Sequence, residues 1–199
     1  IASETVYGFL QSVQSVWNMF DTAKNLIIVW DGKNSKKRRR DVDPEYKANR
    51  KKEPDARFLA FIEQLGVLRK ELPKIGIPTV DVEDAECDDC LAILSTYKAL
   101  KPVCIISGDN DMFQLLKKGK IIQYTGKKIV TEATFRRDFG FPARLYVLYK
   151  AIVGCGTDNV QGIQNFGPKK AESIFKECRF NIDKIFTTID KLGKADEFD

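Results

Sequence analysis

The residues best suited to chemistry in this chain are carboxylates in four separated stretches. Asp31 follows the apolar run Leu26 to Trp30, and Asp109 and Asp111 follow Val103 to Ser107. Glu86, Asp88 and Asp89 crowd into Ala85-Glu86-Cys87-Asp88-Asp89, and Asp158 lies in Gly154-Cys155-Gly156-Thr157-Asp158-Asn159. Each has an ordinary explanation. An aspartate after a strand commonly caps the next helix or makes a turn, and acidic groups in a first helical turn are favoured by the helix dipole without any metal. Taken together they would repel one another unless cations stood between them. Magnesium suits such a set, because it takes hard oxygen ligands, keeps several waters and binds through a few carboxylates plus substrate phosphate. Two such ions about 3.5–4 Å apart activate a water and stabilise the leaving oxygen in an in-line displacement at phosphorus. The chain contains no histidine, so general-base work falls to metal-bound water.

Two basic segments fit a polyanionic substrate. Lys36, Lys37, Arg38, Arg39, Arg40, Lys47, Arg50, Lys51 and Lys52 lie between positions 36 and 52. A run of this kind is usually a solvated surface. Here it follows Asp31 directly, so positive charge rises beside the proposed metal ligands, where a scissile phosphate must be drawn in. Within Pro44 to Arg50, Lys47 and Arg50 stand three apart, the spacing at which a helix aims both at one phosphate. The second segment runs from Val160 to Lys170. Gly162 and Gly167 bracket a turn, Pro168 suits a first helical position, and Lys169 and Lys170 follow. Exposed amides at such a helix start can hold a backbone phosphate irrespective of sequence, although an ordinary helical hairpin has the same outline.

Apolar strand-like runs alternating with helical patterns must position these residues, which predicts an α/β fold with a largely parallel central sheet flanked by helices. Helical periodicity covers Thr5 to Phe20, and a buried strand covers Asn25 to Trp30. A helix is expected around Asp55 to Leu72, a turn at Gly76-Ile77-Pro78, and a helix from about Glu86. Pro102 to Ile106 reads as a second buried strand, and Asp111 opens a short helix. Lys120 to Tyr124 and Lys128 to Val130 read as a strand pair turned at Thr125-Gly126. After Pro142 the pattern is helical, and from Gly154 to Cys178 it reads helix, glycine-containing turn, helix. The expected organisation is an α/β core over 1–140, including a basic region at 33–72, and a helical region over 141–199. The first residues already enter a helix, so the sheet is expected to lack the N-terminal strand that such a fold would want, the chain being either a fragment or a sequence whose start is not included.

At 199 residues and 43% hydrophobic composition the chain can bury a full core. Its 33 basic and 28 acidic residues leave +5, so placement of charge says more than its sum. No apolar run is long enough to span a membrane and no secretory signal is present, which predicts a cytoplasmic protein without membrane partners. Five irregularly spaced cysteines read as reduced thiols. Cys87 and Cys90 form a C-x-x-C, but a structural zinc site needs four Cys or His ligands.

With these motifs in view, the chain resembles the 5′ nuclease superfamily, which includes the nuclease domain of bacterial DNA polymerase I and the bacteriophage flap endonucleases. The resemblance runs from about Asp31 to Cys178. It rests on Trp30-Asp31-Gly32, Pro44-Glu45-Tyr46-Lys47-Ala48-Asn49-Arg50, Glu86-Cys87-Asp88-Asp89, Ile106-Ser107-Gly108-Asp109-Asn110-Asp111, and Gly154 to Lys170, in the family's order. It implies a PIN-like 5′ nuclease fold with a helical arch and a C-terminal helix-three-turn-helix. It further implies a site for two magnesium ions, for which manganese can substitute, made by Asp31, Glu86, Asp88, Asp89, Asp109, Asp111 and Asp158. Lys47 and Arg50 would be catalytic residues at the base of the arch. Lys36, Lys37, Arg38, Lys51, Lys52, Gly162, Gly167, Lys169 and Lys170 would contact DNA, with a potassium ion at the helix-three-turn-helix. The implied activity is structure-specific 5′-3′ exonuclease and flap endonuclease cleavage in DNA replication or repair. The implied substrates are branched or 5′-flapped DNA and RNA–DNA hybrid, handled by a monomer in a bacterial or phage-infected cell. Cys155 departs from the pattern, since the family usually places a metal-binding aspartate there.

Two rival readings share these features. A catalytically weakened nuclease could serve as a branched-DNA-binding module, which Cys155 would favour. A ribonuclease of the wider PIN-like group shares strand-end carboxylates but generally lacks a duplex clamp like Gly162 to Lys170.

Overall fold

Residues 2–20, 25–49 and 55–196 are described by the structure, a computed structural model. The chain divides into two units, one of residues 1–42 and 50–90, the other of residues 43–49 and 91–199.

In the first unit, β1 (Ile28–Val29) pairs in parallel with β2 (Thr79–Val80). The amide of Trp30 continues the ladder by donating to the Val80 carbonyl at 2.9 Å. Helix α1 (Ala2–Met19) and helix α3 (Ala56–Glu71) cover the apolar side of Trp30. Phe9 stacks on its ring at 5.7 Å, and Leu68 and Leu72 complete the cluster with Val6, Ile28, Leu65 and Ile77. Helix α3 begins where Asp55 accepts a hydrogen bond from the amide of Phe58, and its 3₁₀ extension Leu72–Ile75 stops at Gly76, whose positive φ no other residue adopts as readily. The short helix α2 (Lys37–Val42) also belongs here, as do the first four residues of α4 (Cys87–Thr96).

The second unit is built on β3 (Val103–Ile106), β4 (Ile121–Tyr124) and β5 (Ile129–Val130). Strand β3 is parallel to β4, and β5 returns antiparallel to it. A capping box of Thr131 and Thr134 starts α5 (Glu132–Phe139), which ends at left-handed Gly140. Phe135, Phe141, Leu145 and Phe175 are sealed from solvent in a core that joins α5, α6 (Tyr146–Val153), α7 (Pro168–Glu177) and α8 (Ile182–Asp196). The rings of Phe135 and Phe139 stack at 4.3 Å, and Phe113 and Tyr146 meet them edge-on, the geometry aromatic quadrupoles favour.

The architecture is therefore α/β with small sheets. In place of the expected central sheet, the described residues contain a two-stranded sheet in the first unit and a three-stranded sheet in the second. Two of the three pairings are parallel. The expected helix over Pro44 to Arg50 is corrected over residues 44–49, which form turns. Lys47 there has φ 54°, outside the right-handed helical region. Arg50, Lys51 and Lys52 lie outside the described residues. No helix among the described residues is long and apolar enough to cross a membrane.

Candidate metal centre

Two of the strand-end aspartates are tied to the backbone. In the first unit, Asp31 leaves β1 and its Oδ1 accepts the amide of Cys87 at 2.8 Å, so it joins the strand end to the start of α4. Gly32 follows because its backbone presses on the carbonyls of Val82 and Glu83, leaving no volume for a Cβ. Arg69 steadies the same turn from α3, donating to the Asp31 carbonyl at 2.8 Å, pairing with Asp81 and lying over the Trp30 ring. In the second unit, Asp109 accepts the amide of Asp111 at 2.8 Å and so caps the 3₁₀ helix Asn110–Leu115. Gln123, fully buried on β4, donates from Nε2 to the carbonyls of Ser107 and Asp109, both at 2.8 Å. The ordinary capping role and a metal role are compatible, because each carboxylate has a second oxygen.

Three further carboxylates, Glu86, Asp89 and Asp111, are paired with cations of the chain itself. Arg39 grips Asp89 with two parallel hydrogen bonds of 2.9 and 3.0 Å, and its Nη1 stands 3.1 Å from buried Glu86. Such a bidentate pair is the strong form of the interaction. Glu86 and Asp89 thus share one face of the helix start, whereas Asp88 accepts from the thiol of Cys87 beside it. Burial and the neighbouring Asp88 and Asp31 charges push the Cys87 thiol well above the ordinary range, so it stays protonated.

In the second unit, Asp111, Cys155 and Asp158 bring one donor atom each to within 4.8 Å of one another. Lys150, one helical turn from the end of α6, places Nζ 2.9 Å from Asp111 Oδ1 and 3.4 Å from Cys155 Sγ. Burial works against its charge, but the hydrogen bond and charge of Asp111 and the contact with Cys155 outweigh it and raise its pKa. The loop is held by reciprocal backbone bonds between Cys155 and Val160 and by left-handed Asn159. Asn159 donates to the Glu45 carbonyl, Asn49 donates to the Gly156 carbonyl, and the amide of Lys47 donates to the Asp158 carbonyl. The Lys47 ammonium lies over the Tyr46 ring at 4.8 Å.

The donor set fits a divalent cation in number and spacing, with two hard carboxylates and one softer thiol. Arg39, Lys150, Arg69 and Gln123 were absent from the expected site. One signal for Lys150 exists in the sequence, a single charge within the apolar helix Tyr146–Val153. The pairings of the other three join residues distant in sequence, which local patterns do not reveal.

The basic residues are distributed differently. Lys36 precedes α2, while Lys37 and Arg38 lie on it, with Lys37 bridged to Asp41. Gly162 packs on the backbone of Val153, so it closes the turn after α6. Gly167 precedes Pro168 at the start of α7, and Lys170 covers the buried ring of Phe166 at 4.1 Å.

Comparison with known proteins places the chain in a family. Residues 1–140 match the family model described as the 5′-3′ exonuclease, N-terminal resolvase-like domain. The chain is 29% identical over 190 residues to a 5′-3′ exonuclease of Buchnera aphidicola (94% of this chain, 64% of that protein). It is 31% identical over 179 residues to one of Aquifex aeolicus (88% and 60%). It thus spans less than two thirds of the length of these relatives. Among solved structures, the T5 5′-exonuclease with bound zinc superposes with a TM-score of 0.76 at 26% identity (94% of this chain, 70% of that one). The bacteriophage T5 flap endonuclease complexed with DNA and metal ions superposes with the same score at 25% identity (90% and 68%). The chain belongs to the 5′-3′ exonuclease family.

Proposed function

We propose that this chain is the catalytic body of a structure-specific 5′-3′ exonuclease and flap endonuclease that hydrolyses DNA phosphodiesters with divalent metal, in replication or repair. The observation that carries the reading is the convergence of Asp111, Cys155 and Asp158 on one cation-sized space. Asp31, Glu86, Asp88 and Asp89 in the first unit and Asp109, Asp111 and Asp158 in the second are the proposed ligands. Two magnesium ions, with manganese as a substitute, would be held by these carboxylates and would supply activation of a water and charge stabilisation at the leaving oxygen. Asp31 and Asp109 each keep one oxygen on a backbone amide while offering the second. Lys47 and Arg50 neutralise the scissile phosphate, and Arg39 and Lys150 keep the carboxylates paired until metal arrives.

The region over 141–199 is proposed to bind duplex backbone as a helix-three-turn-helix with a potassium ion. Gly162, Gly167, Lys169 and Lys170 are the proposed contacts of that surface, and Lys36, Lys37, Arg38, Lys51 and Lys52 are proposed to contact the DNA strand that enters the site. Branched or 5′-flapped DNA is the proposed substrate, RNA–DNA hybrid a further one, and the protein acts as a cytoplasmic monomer. The T5 relatives were solved with metal ions and, in one case, DNA, which supports this reading.

Cleavage of a 5′-flap duplex in magnesium is the test, run on the full chain and on Asp111→Asn. The variant should lose several powers of ten in rate, each worth about 1.4 kcal/mol of barrier, while still binding duplex. Near-normal cutting by Asp111→Asn would remove the site assignment. Cys155 favours the second reading, a weakened nuclease that binds branched DNA, and tight binding without any metal-dependent cleavage would establish it.

A further inference from the structure

The donor set that includes Cys155 is not one that magnesium selects. We propose that Cys155 makes the Asp111–Cys155–Asp158 cluster a mixed thiolate–carboxylate site that takes a thiophilic divalent cation, of the zinc or cobalt kind, in preference to magnesium. The inference rests on the reading above that the cluster binds divalent metal.

Three features of the loop support it. The sulfur is one of three donors whose ligand atoms lie within 4.8 Å of one another, close enough for small side-chain movements to bring all three onto one ion. Three protein ligands leave a position open for water or a phosphate oxygen, the pattern of zinc sites that perform chemistry. The backbone fixes the thiol in place, because Cys155 and Val160 exchange hydrogen bonds of 2.9 and 3.0 Å and the amide of Asp158 donates to the Cys155 carbonyl at 3.1 Å. Finally, the space already accommodates positive charge, with the Lys150 ammonium 2.9 Å from Asp111 and 3.4 Å from the sulfur. Thr157 Oγ1, 3.1 Å from Sγ, can hydrogen-bond the sulfur and orient it.

Magnesium demands near-octahedral oxygen coordination and gains little from sulfur, whereas zinc and cobalt bind thiolate strongly. Coordination releases the thiol proton to solvent and leaves the sulfur as an anionic ligand.

Cobalt(II) alone is the probe, titrated into the full chain under reducing conditions. A near-ultraviolet sulfur-to-cobalt charge-transfer band should rise and saturate, and it should persist in a large excess of magnesium. Cys155→Ser should abolish the band and weaken cobalt binding by at least the roughly 10- to 100-fold that loss of an outer-shell partner costs. Cys155→Asp should also lack the band but bind magnesium more tightly than the natural chain. Cobalt bound without the band overturns the proposal, and so does a band that survives in Cys155→Ser, since another cysteine would then be the ligand. A second measurement needs no variant. The cadmium-113 resonance of the natural chain should lie downfield, at thiolate-ligated positions, and an all-oxygen shift overturns the assignment.

Flap cleavage on the same preparations separates the two readings. Cleavage without the band removes the soft-metal site and leaves the nuclease, whereas the band without cleavage keeps the site and removes the nuclease.

Discussion

Lys47 shows how one backbone angle can change what a charged residue does. Its φ of 54° and its amide bond to the Asp158 carbonyl hold its backbone on the loop that carries Cys155 and Asp158, so the side chain does not leave from a helix face. Its ammonium rests over the buried Tyr46 ring, an arrangement worth about 0.5–1 kcal/mol at exposed sites. A phosphate can compete for that cation. Lys47→Ala is therefore expected to lower turnover on a flap substrate more than it lowers DNA affinity, because other lysines and arginines still supply sequence-independent attraction. Single-turnover rates set beside equilibrium binding check this, and an effect confined to affinity would assign Lys47 to binding. Asp109 is instructive in a different way. Asn caps as well as Asp, so Asp109→Asn retains the bond to the Asp111 amide and removes only charge, which makes it a cleaner probe of metal than Asp109→Ala.

The turn between α6 and α7 depends on glycine for a reason that can be tested. Gly154 has φ 82°, and a Cβ there would run into the amide of Gly162. Gly162 is equally constrained by the Val153 backbone, so the two segments touch main chain to main chain. Gly154→Ala should therefore destabilise the second unit by about 1–3 kcal/mol, the range for a residue held in a disfavoured backbone region. It should also weaken metal binding by displacing Cys155 and Asp158. Gly156→Ala in the same loop meets open space and should be nearly neutral. Urea unfolding of the two variants side by side is the check, and equal midpoints would show that the turn can relax. Across the next helix start, Lys169→Ala should weaken duplex binding and reduce the salt slope by about one, as expected for the loss of a single phosphate contact.

Stability of the whole chain should fall at alkaline pH, for a reason set by burial. Burial of Cys104 on β3 pushes its thiol from 9.0 up to about 11, opposed by a backbone hydrogen bond with Tyr124. Tyr146 in the aromatic core is pushed from 10.0 up to about 12, chiefly by burial and with nearby Lys150 opposing. Both folded-state values are raised, so the neutral forms stabilise the fold fully below the unfolded pKa values, and this stability is lost as pH rises through the folded ones. Unfolding midpoints should thus drop from about pH 9 upward. Tyr146→Phe with Cys104→Val should flatten that decline, and an unchanged slope would mean that other groups control it. The net charge of +5 acts on a different property, since it favours encounter with a polyanion without selecting a fold.

Much of this was written in local pattern. The run Val103 to Ser107 before Asp109, the strand pair turned at Thr125-Gly126, the helix that starts near Asp55 and Pro168 at a helix start are short-range signals, and the structure carries each of them. The seven carboxylates and Cys155 were likewise visible as residue types at strand ends, in a first helical turn and in a glycine-containing loop. Strand β2 was not visible, because two residues after Pro78 become a strand only by pairing with Ile28 and Val29. Nor was the attachment of Asp31 and Asp109 to backbone amides, or the pairing of Glu86 and Asp89 with Arg39 and of Asp111 with Lys150. Arg39 and Asp89 are 50 positions apart and Lys150 and Asp111 are 39 apart, so only folding brings each pair together. Sequence by itself determined which groups were available and which short segments would be strand, helix or turn, since those depend on neighbours along the chain. Tertiary structure alone decided which donors meet around one space and what balances their charge, because Coulomb attraction and ligand geometry act on distance through space.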